Sequence, residues 1–220
     1  MSSNDLKDEG VSAVCKAIQS NKETKLASFD FGYNGIHPVG ANAVAAMVAV
    51  TGALTVTNLL RNQLDVESAK MLAEVAKQKG ISLCGIQRDQ TTADFSHQNL
   101  NPPDAILLAS DLSQAVVTGA LTVTNLLGNR LDAESAKMLA EVAKQKGISL
   151  CGIRRDQTIA DFSNQYLKPP DVILLASDLS QAVVTGALTE CDLKRYDFGE
   201  DGEASICNAV QGKAGFKLHL

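Results

Sequence analysis

The 220-residue chain contains no tryptophan and is only 4% aromatic, so it lacks the stacking platforms on which single-strand binders lay bases. It has no excess of positive charge either. Twenty Lys and Arg stand against 25 Asp and Glu, a net charge of −5, whereas a phosphate backbone calls for a basic patch. Both features exclude a nucleic-acid partner. Long apolar runs are also missing: the most apolar stretch, Ala43 to Val50, is too short to span a bilayer, so no membrane insertion is expected. The polar start MSSNDLKDEG shows no signal peptide. The five cysteines are an odd number without a small-domain framework, and they read as buried thiols in a reducing compartment. An intracellular, cytoplasmic protein is the expectation.

What the chain does have is itself, twice. Thr51 to Val117 returns almost letter for letter as Thr118 to Val184, and TGALT starts a third time at Thr185. A repeated chain is read by its period first, because each unit has an apolar face that only a neighbour can bury. Within the unit, Leu54, Leu59, Asn62 and Leu64 stand at L-x-x-x-x-L-x-x-N-x-L, and Leu121, Leu126, Asn129 and Leu131 repeat it. Leu26, Phe29, Phe31, Asn34 and Ile36 give a fuller form. Phe95, Gln98 and Leu100, with Phe162, Gln165 and Leu167, are divergent copies; Leu188, Cys191, Leu193 and Phe198 form another, with Tyr196 in the asparagine position. This spacing resembles a leucine-rich repeat of the ribonuclease-inhibitor type. The resemblance covers essentially the whole chain and implies an α/β solenoid or horseshoe, with a parallel inner sheet and outer helices.

The spacing also has a physical sense of its own. Successive strand residues face opposite ways, so positions one, four and six of each repeat point into a core while three, five and seven face out. Asparagine at position nine suits the turn, because its side chain bonds backbone groups that the bend leaves unpaired. A helix must then return the chain to the next parallel strand. Asp65 to Gly80 carries the signals for one: Asp65 as N-cap, Glu67 in the first turn, Lys77 and Lys79 in the last, and Gly80 as C-cap. The period predicts one domain over 1–220: a half repeat, 1–25, then repeats 26–53, 54–82, 83–120, 121–149, 150–187 and 188–220. Strands are expected near 28–31, 56–59, 92–95, 123–126, 159–162 and 190–193, with a final edge strand in which Phe216, Leu218 and Leu220 alternate. Residues 87–92 exceed the usual phase and should bulge at the rim. Pro102, Pro103 and Asp104 open a helix running to about Ala115. The first helix lacks an evident N-cap, and Asn4-Asp5-Leu6 enters mid-repeat with only that helix to cover Leu26, Phe29 and Phe31, so self-association, a partner or an upstream segment is expected at the N-terminal face.

Chemical motifs are sparse. Asp30-Phe31-Gly32 and Asp197-Phe198-Gly199 spell a kinase metal-binding tripeptide, but no glycine-rich loop, strand lysine or H-R-D accompanies them. Asp197 to Glu203 lacks the order of a calcium loop. His37, His97 and His219 are scattered, and His97 becomes Asn164 in its twin, so no general base repeats. No catalytic residue, cofactor site or metal site is assigned, and no enzyme is expected.

The informative row is the outward fifth position: Asp30, Asn58, Asp94, Asn125, Asp161 and Asp192. With parallel strands about 4.8 Å apart, these should form a negative ladder, either as a solvated face or as a groove for a basic protein segment. Tyr33, Arg61, His97, Asn164 and Arg195 occupy the eighth position beside it. Differences between the twins, such as Arg61 to Gly128 and Asn99 to Tyr166, gather near the strand ends, as either a recognition rim or drift at exposed positions would produce. The expected function is a non-enzymatic protein-binding or scaffold module. The alternatives are a regulator of a small GTPase, resembling the GTPase-activating proteins built on this repeat type, and a structural subunit of a larger assembly.

Overall fold

The computed structural model describes residues 3–21, 23–163, 165–194, 196 and 198–220. Its contacts sort the chain into two compact units, Met1–Gln90 with Leu100–Ala120, and Thr91–Asn99 with Leu121–Leu220. The first unit holds α1 (Lys7–Ser20), β1 (Ser28–Asp30), α2 (Pro38–Val50), β2 (Val56–Asn58), α3 (Val66–Lys79), α4 (Pro102–Ser113) and α5 (Ala115–Thr118). The second holds β3 (Thr92–Asp94), β4 (Val123–Asn125), α6 (Ala133–Lys146), β5 (Ile159–Asp161), α7 (Pro169–Ser180), α8 (Ala182–Thr185), β6 (Glu190–Asp192), α9 (Gly199–Val210) and β7 (Lys217–His219). Consecutive helices pack on one another within each unit: α1 on α2, α2 on α3 and α3 on α4; then α6 on α7 and α7 on α9. Helix alternates with short strand, as a repeat fold requires.

All six expected strands form, and their named pairings are parallel: β1 with β2, β3 with β4, and β5 with β6 with β7. Instead of one continuous sheet there are three small ones. The cause lies just after β2 and β4. At Ser82–Gly85 the chain still follows β2, through isolated bridges and backbone bonds such as Thr57 N–H to Ser82 O and Leu59 N–H to Leu83 O, but the amides of Leu83 and Cys84 turn to the fully buried Asp111 of α4, at 2.9 and 3.0 Å. The Ser82 hydroxyl donates to the same carboxylate at 2.7 Å and accepts from the Ile86 amide at 2.9 Å. Ser149, Leu150, Cys151, Ile153 and Asp178 repeat the arrangement in the second unit. Burial pushes both carboxyls up to about 6, against the opposing pull of the amide and hydroxyl donors. The extra residues expected at the rim follow, as an exposed turn closed by Gln90 N–H to Gln87 O.

The asparagines behave as position nine demands. Asn62 donates to the carbonyls of Phe31 and Leu59 at 3.0 and 2.8 Å and accepts from the amides of Asn34 and Ile36. Asn129 donates to Phe95 and Leu126 and accepts from Gln98. In the last copy the Tyr196 hydroxyl takes over: it donates to Phe162 O at 2.6 Å and accepts from the Gln165 amide. A phenol reaches the two groups that an amide serves elsewhere, which is why the divergent copy still turns.

Helix ends follow the sequence closely. Asp65 accepts from Ser68 N–H, and Gly80 closes α3 at φ 65°. The uncapped start of α1 is confirmed, with Leu6 at its N-cap making no side-chain bond. Asp8 of α1 instead anchors the start of α2, accepting from His37 and Gly40 N–H at 2.8 and 3.0 Å. The helix expected to run to Ala115 breaks at Gln114, whose extended backbone separates α4 from α5. The core is also wider than positions one, four and six. Val56, Leu60, Val123 and Leu127, at positions three and seven, are buried too.

Candidate protein-interaction surface

Register places the fifth-position residues opposite one another in pairs: Asp30 with Asn58, Asp94 with Asn125, and Asp161 with Asp192. The six expected residues therefore form three rungs, each within its own sheet, and the third is extended by His219 of β7. Each side chain also does a local job. The carboxylate or amide oxygen accepts the backbone N–H two residues on: Asp30 from Gly32, Asn58 from Leu60, Asp94 from Ser96, Asn125 from Leu127, Asp161 from Ser163 and Asp192 from Lys194, all between 2.8 and 3.2 Å. These are Asx turns, which end each strand and start the bend. Asp or Asn is thus required for turning the chain, whatever else the row does.

Charge along the row is uneven. Lys194 lies 3.2 Å from the Asp192 carboxylate, and this lysine's N–H bonds hold that carboxyl below the usual range. Asp94 and Asp161 are the exposed carboxylates of the row, while Asp30 is half-buried.

At position eight, Tyr33, Arg61 and His97 all adopt left-handed backbone, φ 55°, 62° and 55°, and Gly128 matches them at 71°. Such a conformation throws the side chain out of the strand line. The Arg61 guanidinium sits 4.7 Å from the centre of the Tyr33 ring, a cation–π pair. In the twin, a Cβ on Gly128 would fall 2.3 Å from the His97 imidazole, so the ring lies where the arginine stem would begin. Asn164 and Arg195 lie outside the described residues, as does Asp197 of the second kinase-like tripeptide.

The backbone at this rim is tied from below by two carboxylates that the sequence placed only in a first helical turn. Asp104 accepts from Arg61 N–H at 2.9 Å and Asn101 N–H at 3.0 Å; Asp171 accepts from Gly128 N–H at 3.0 Å and Lys168 N–H at 2.8 Å. Burial raises both carboxyls above their ordinary range, with these amides pulling the other way. The doubled Pro-Pro-Asp was the available signal for their role. Burial also pushes the Cys15 thiol up to about 11 and Cys191 to about 12, and raises Cys84 and Cys151 well above the ordinary thiol range, leaving them poor nucleophiles. No cluster of three metal-ligating side chains occurs among the described residues, and among them no helix is long and apolar enough to cross a membrane.

Short parallel strands returned by helices, with a side-chain ladder at the turns, define an α/β protein compatible with a repeat fold. No family model matches the chain. Among curated proteins it is similar to the human NACHT, LRR and PYD domains-containing protein 13, 27% identical over 157 residues. The match takes in 70% of this chain and 13% of that protein's length. The similarity is distant and of leucine-rich repeat type.

Proposed function

We propose that the chain is a non-enzymatic protein-binding module of the leucine-rich repeat class, of the ribonuclease-inhibitor type, whose repeats form one domain over residues 1–220 and whose recognition surface is the fifth-position row with its position-eight rim. The observation that carries this reading is the division of labour at the strand ends. Every described rung keeps the same Asx turn, while the neighbouring position, held in the same left-handed geometry, changes from tyrosine to arginine to histidine to glycine. A constant frame presenting variable side chains is what selective binding needs. The exposed Asp94 and Asp161 favour a partner with a basic segment, electrostatics setting its orientation and approach rate.

The test is a triple variant, Asp94→Asn, Asp161→Asn and Asp192→Asn, assayed against partners captured from native extract and identified by mass spectrometry. Asparagine already serves at positions 58 and 125, so the turns survive and the unfolding midpoint stays put. Association should slow and lose much of its dependence on salt. Unchanged rates at low salt with a native circular dichroism spectrum would reduce the row to turn chemistry alone.

A further inference from the structure

We propose that the outer edge of β1, with the apolar cleft beside it, is a docking site for strand β7 of a second copy of this chain, so that copies associate head to tail. Among the described residues β1 pairs on one side only, with β2, and β7 on one side only, with β6. At β1 opens a cleft of ≈ 860 Å³, lined by Val14, Ala17 and Ile18 of α1 and by Leu26 and Phe29, and reaching past Asp30 and Asn58 to Gln87. Leu26 is 40% exposed there. Turn bonding shows what is open at this place. Ser3 N–H reaches Gly32 O, and the amides of Asn4 and Leu6 reach Asn34 Oδ1, just as those of Asn34 and Ile36 reach Asn62. Residues 3–6 and α1 therefore hold the turn and helix of a repeat whose strand positions, next to Ser28–Asp30, have no described occupant.

Strand β7 has the matching half. In register it continues the same repeat lattice, Leu218 standing beside Cys191 and His219 beside Asp192. Carried onto β1, that register sets Lys217 beside Ser28, Leu218 beside Phe29 and His219 beside Asp30. Backbone polarity agrees. Phe31 N–H is spent on Asn58 of β2, and on β7 the Lys217 N–H and His219 carbonyl are spent on Thr189 and Leu193, which flank β6. Alternation in a parallel ladder then aims Ser28 and Asp30 outward from one edge and Leu218 outward from the other. Leu218 N–H would meet Ser28 O, and Asp30 N–H would meet Leu218 O. The side chains agree as well: Leu218 enters the apolar cleft, and His219, whose ring lies 3.1 Å from Glu190, stands beside Asp30, as it stands beside Asp192 within its own sheet. The contact uses a different patch on each copy, so it is heterologous and leaves one edge of each kind unused in a pair.

The test is sedimentation of the chain over a wide concentration range, beside Leu218→Pro. Proline removes the outward N–H and the leucine side chain that enters the cleft, and is tolerated in an edge strand. Wild type should at least double its weight-average mass, about twofold or more, with rising concentration, while Leu218→Pro stays monomeric and, added in small amount, shortens wild-type assemblies by accepting β7 without donating its own. A second arm keeps the outcome readable if proline disturbs folding. In a Cys207→Ser background, Ser28→Cys chains mixed with Lys217→Cys chains should cross-link to each other and neither to itself. Monomer at all concentrations, equal association of Leu218→Pro, or Ser28→Cys self-cross-linking would each overturn the proposal.

Discussion

Replacing Ser82 by alanine removes one oxygen and disturbs the least visible part of the fold. That oxygen donates to the Asp111 carboxylate at 2.7 Å and accepts from the buried Ile86 amide at 2.9 Å, with a longer bond from Cys84 at 3.3 Å. Cys84 N–H keeps Asp111 as a partner at 3.0 Å, so two losses dominate. A buried carboxylate gives up a charge-assisted bond, worth about 1.5–3 kcal/mol, and the Ile86 amide is orphaned in the core at about 1–3 kcal/mol. The expected destabilisation is about 3–5 kcal/mol, large beside a typical domain stability of about 5–15 kcal/mol. Ser149→Ala should cost the same, since Ser149, Asp178 and Ile153 repeat the distances. Urea unfolding followed by circular dichroism measures both, with Ser20→Ala, an exposed hydroxyl bonded only to Lys16 O, as a control expected within about 0.5 kcal/mol.

The pH dependence sharpens the test. Asp111 and Asp178 titrate at about 6 in the folded chain against 3.8 as the ordinary value. The folded state therefore holds a proton between those values that the unfolded state has released. Each carboxyl contributes stability that is fully present below about pH 4 and is lost as pH rises through 6, about 3 kcal/mol per residue. Ser82→Ala takes away a donor that lowers Asp111, so in that variant the loss extends to higher pH. The N-cap carboxyls Asp65 and Asp132 are held low by Ser68 and Ser135; their contributions vanish only as pH falls through values below the ordinary one, outside this window. A cost under about 1 kcal/mol for either serine, or wild-type stability that climbs from pH 4 to pH 6, would refute the reasoning.

Gly147→Ala places a side chain at φ 65° with Val183 Cγ1 at 3.1 Å and should cost about 1–2 kcal/mol, whereas Gly52→Ala, with nothing within 4 Å, should not destabilise; thermal melts separate them. Gly128→Arg, which restores the twin's residue, should destabilise by driving its Cβ into the His97 ring, and adding His97→Ala should recover much of the loss in a double-mutant cycle. Tyr196→Phe strips the hydroxyl that serves Gln165 N–H and Phe162 O; about 1–2 kcal/mol should be lost, with faster amide exchange at Gln165 as the local sign.

How far the sequence could be read depended on whether each interaction was local. Strand positions and the asparagine turns were legible because both rest on short spacings, a period of two and a side chain bonding its own bend. The Asx turns at Asp30 and Asp94 are equally local, yet they were missed as turns, because a row of carboxylates suggests charge before it suggests geometry. At position eight, Arg61 gave no hint of its left-handed backbone, but its twin did: glycine at 128 is the residue that such a φ favours. The Ser82–Asp111 contact had no such clue. Its partners lie 29 residues apart, and a serine near a strand and an aspartate within a helix each look like ordinary surface residues. Duplication hid it further, since Ser149 and Asp178 are unchanged along with most of the unit, and an unchanged pair among many unchanged pairs carries no signal. Only the burial of all four side chains marks them as a constraint. The same contact accounts for the break after β2 and after β4, for amides committed to a carboxylate are no longer free to extend a sheet. Extending the ladder past Ser82 or Ser149 and forming a buried serine–aspartate clasp are therefore competing uses of the same N–H groups, and the clasp takes them because Asp111 and Asp178, fully buried, need those donors.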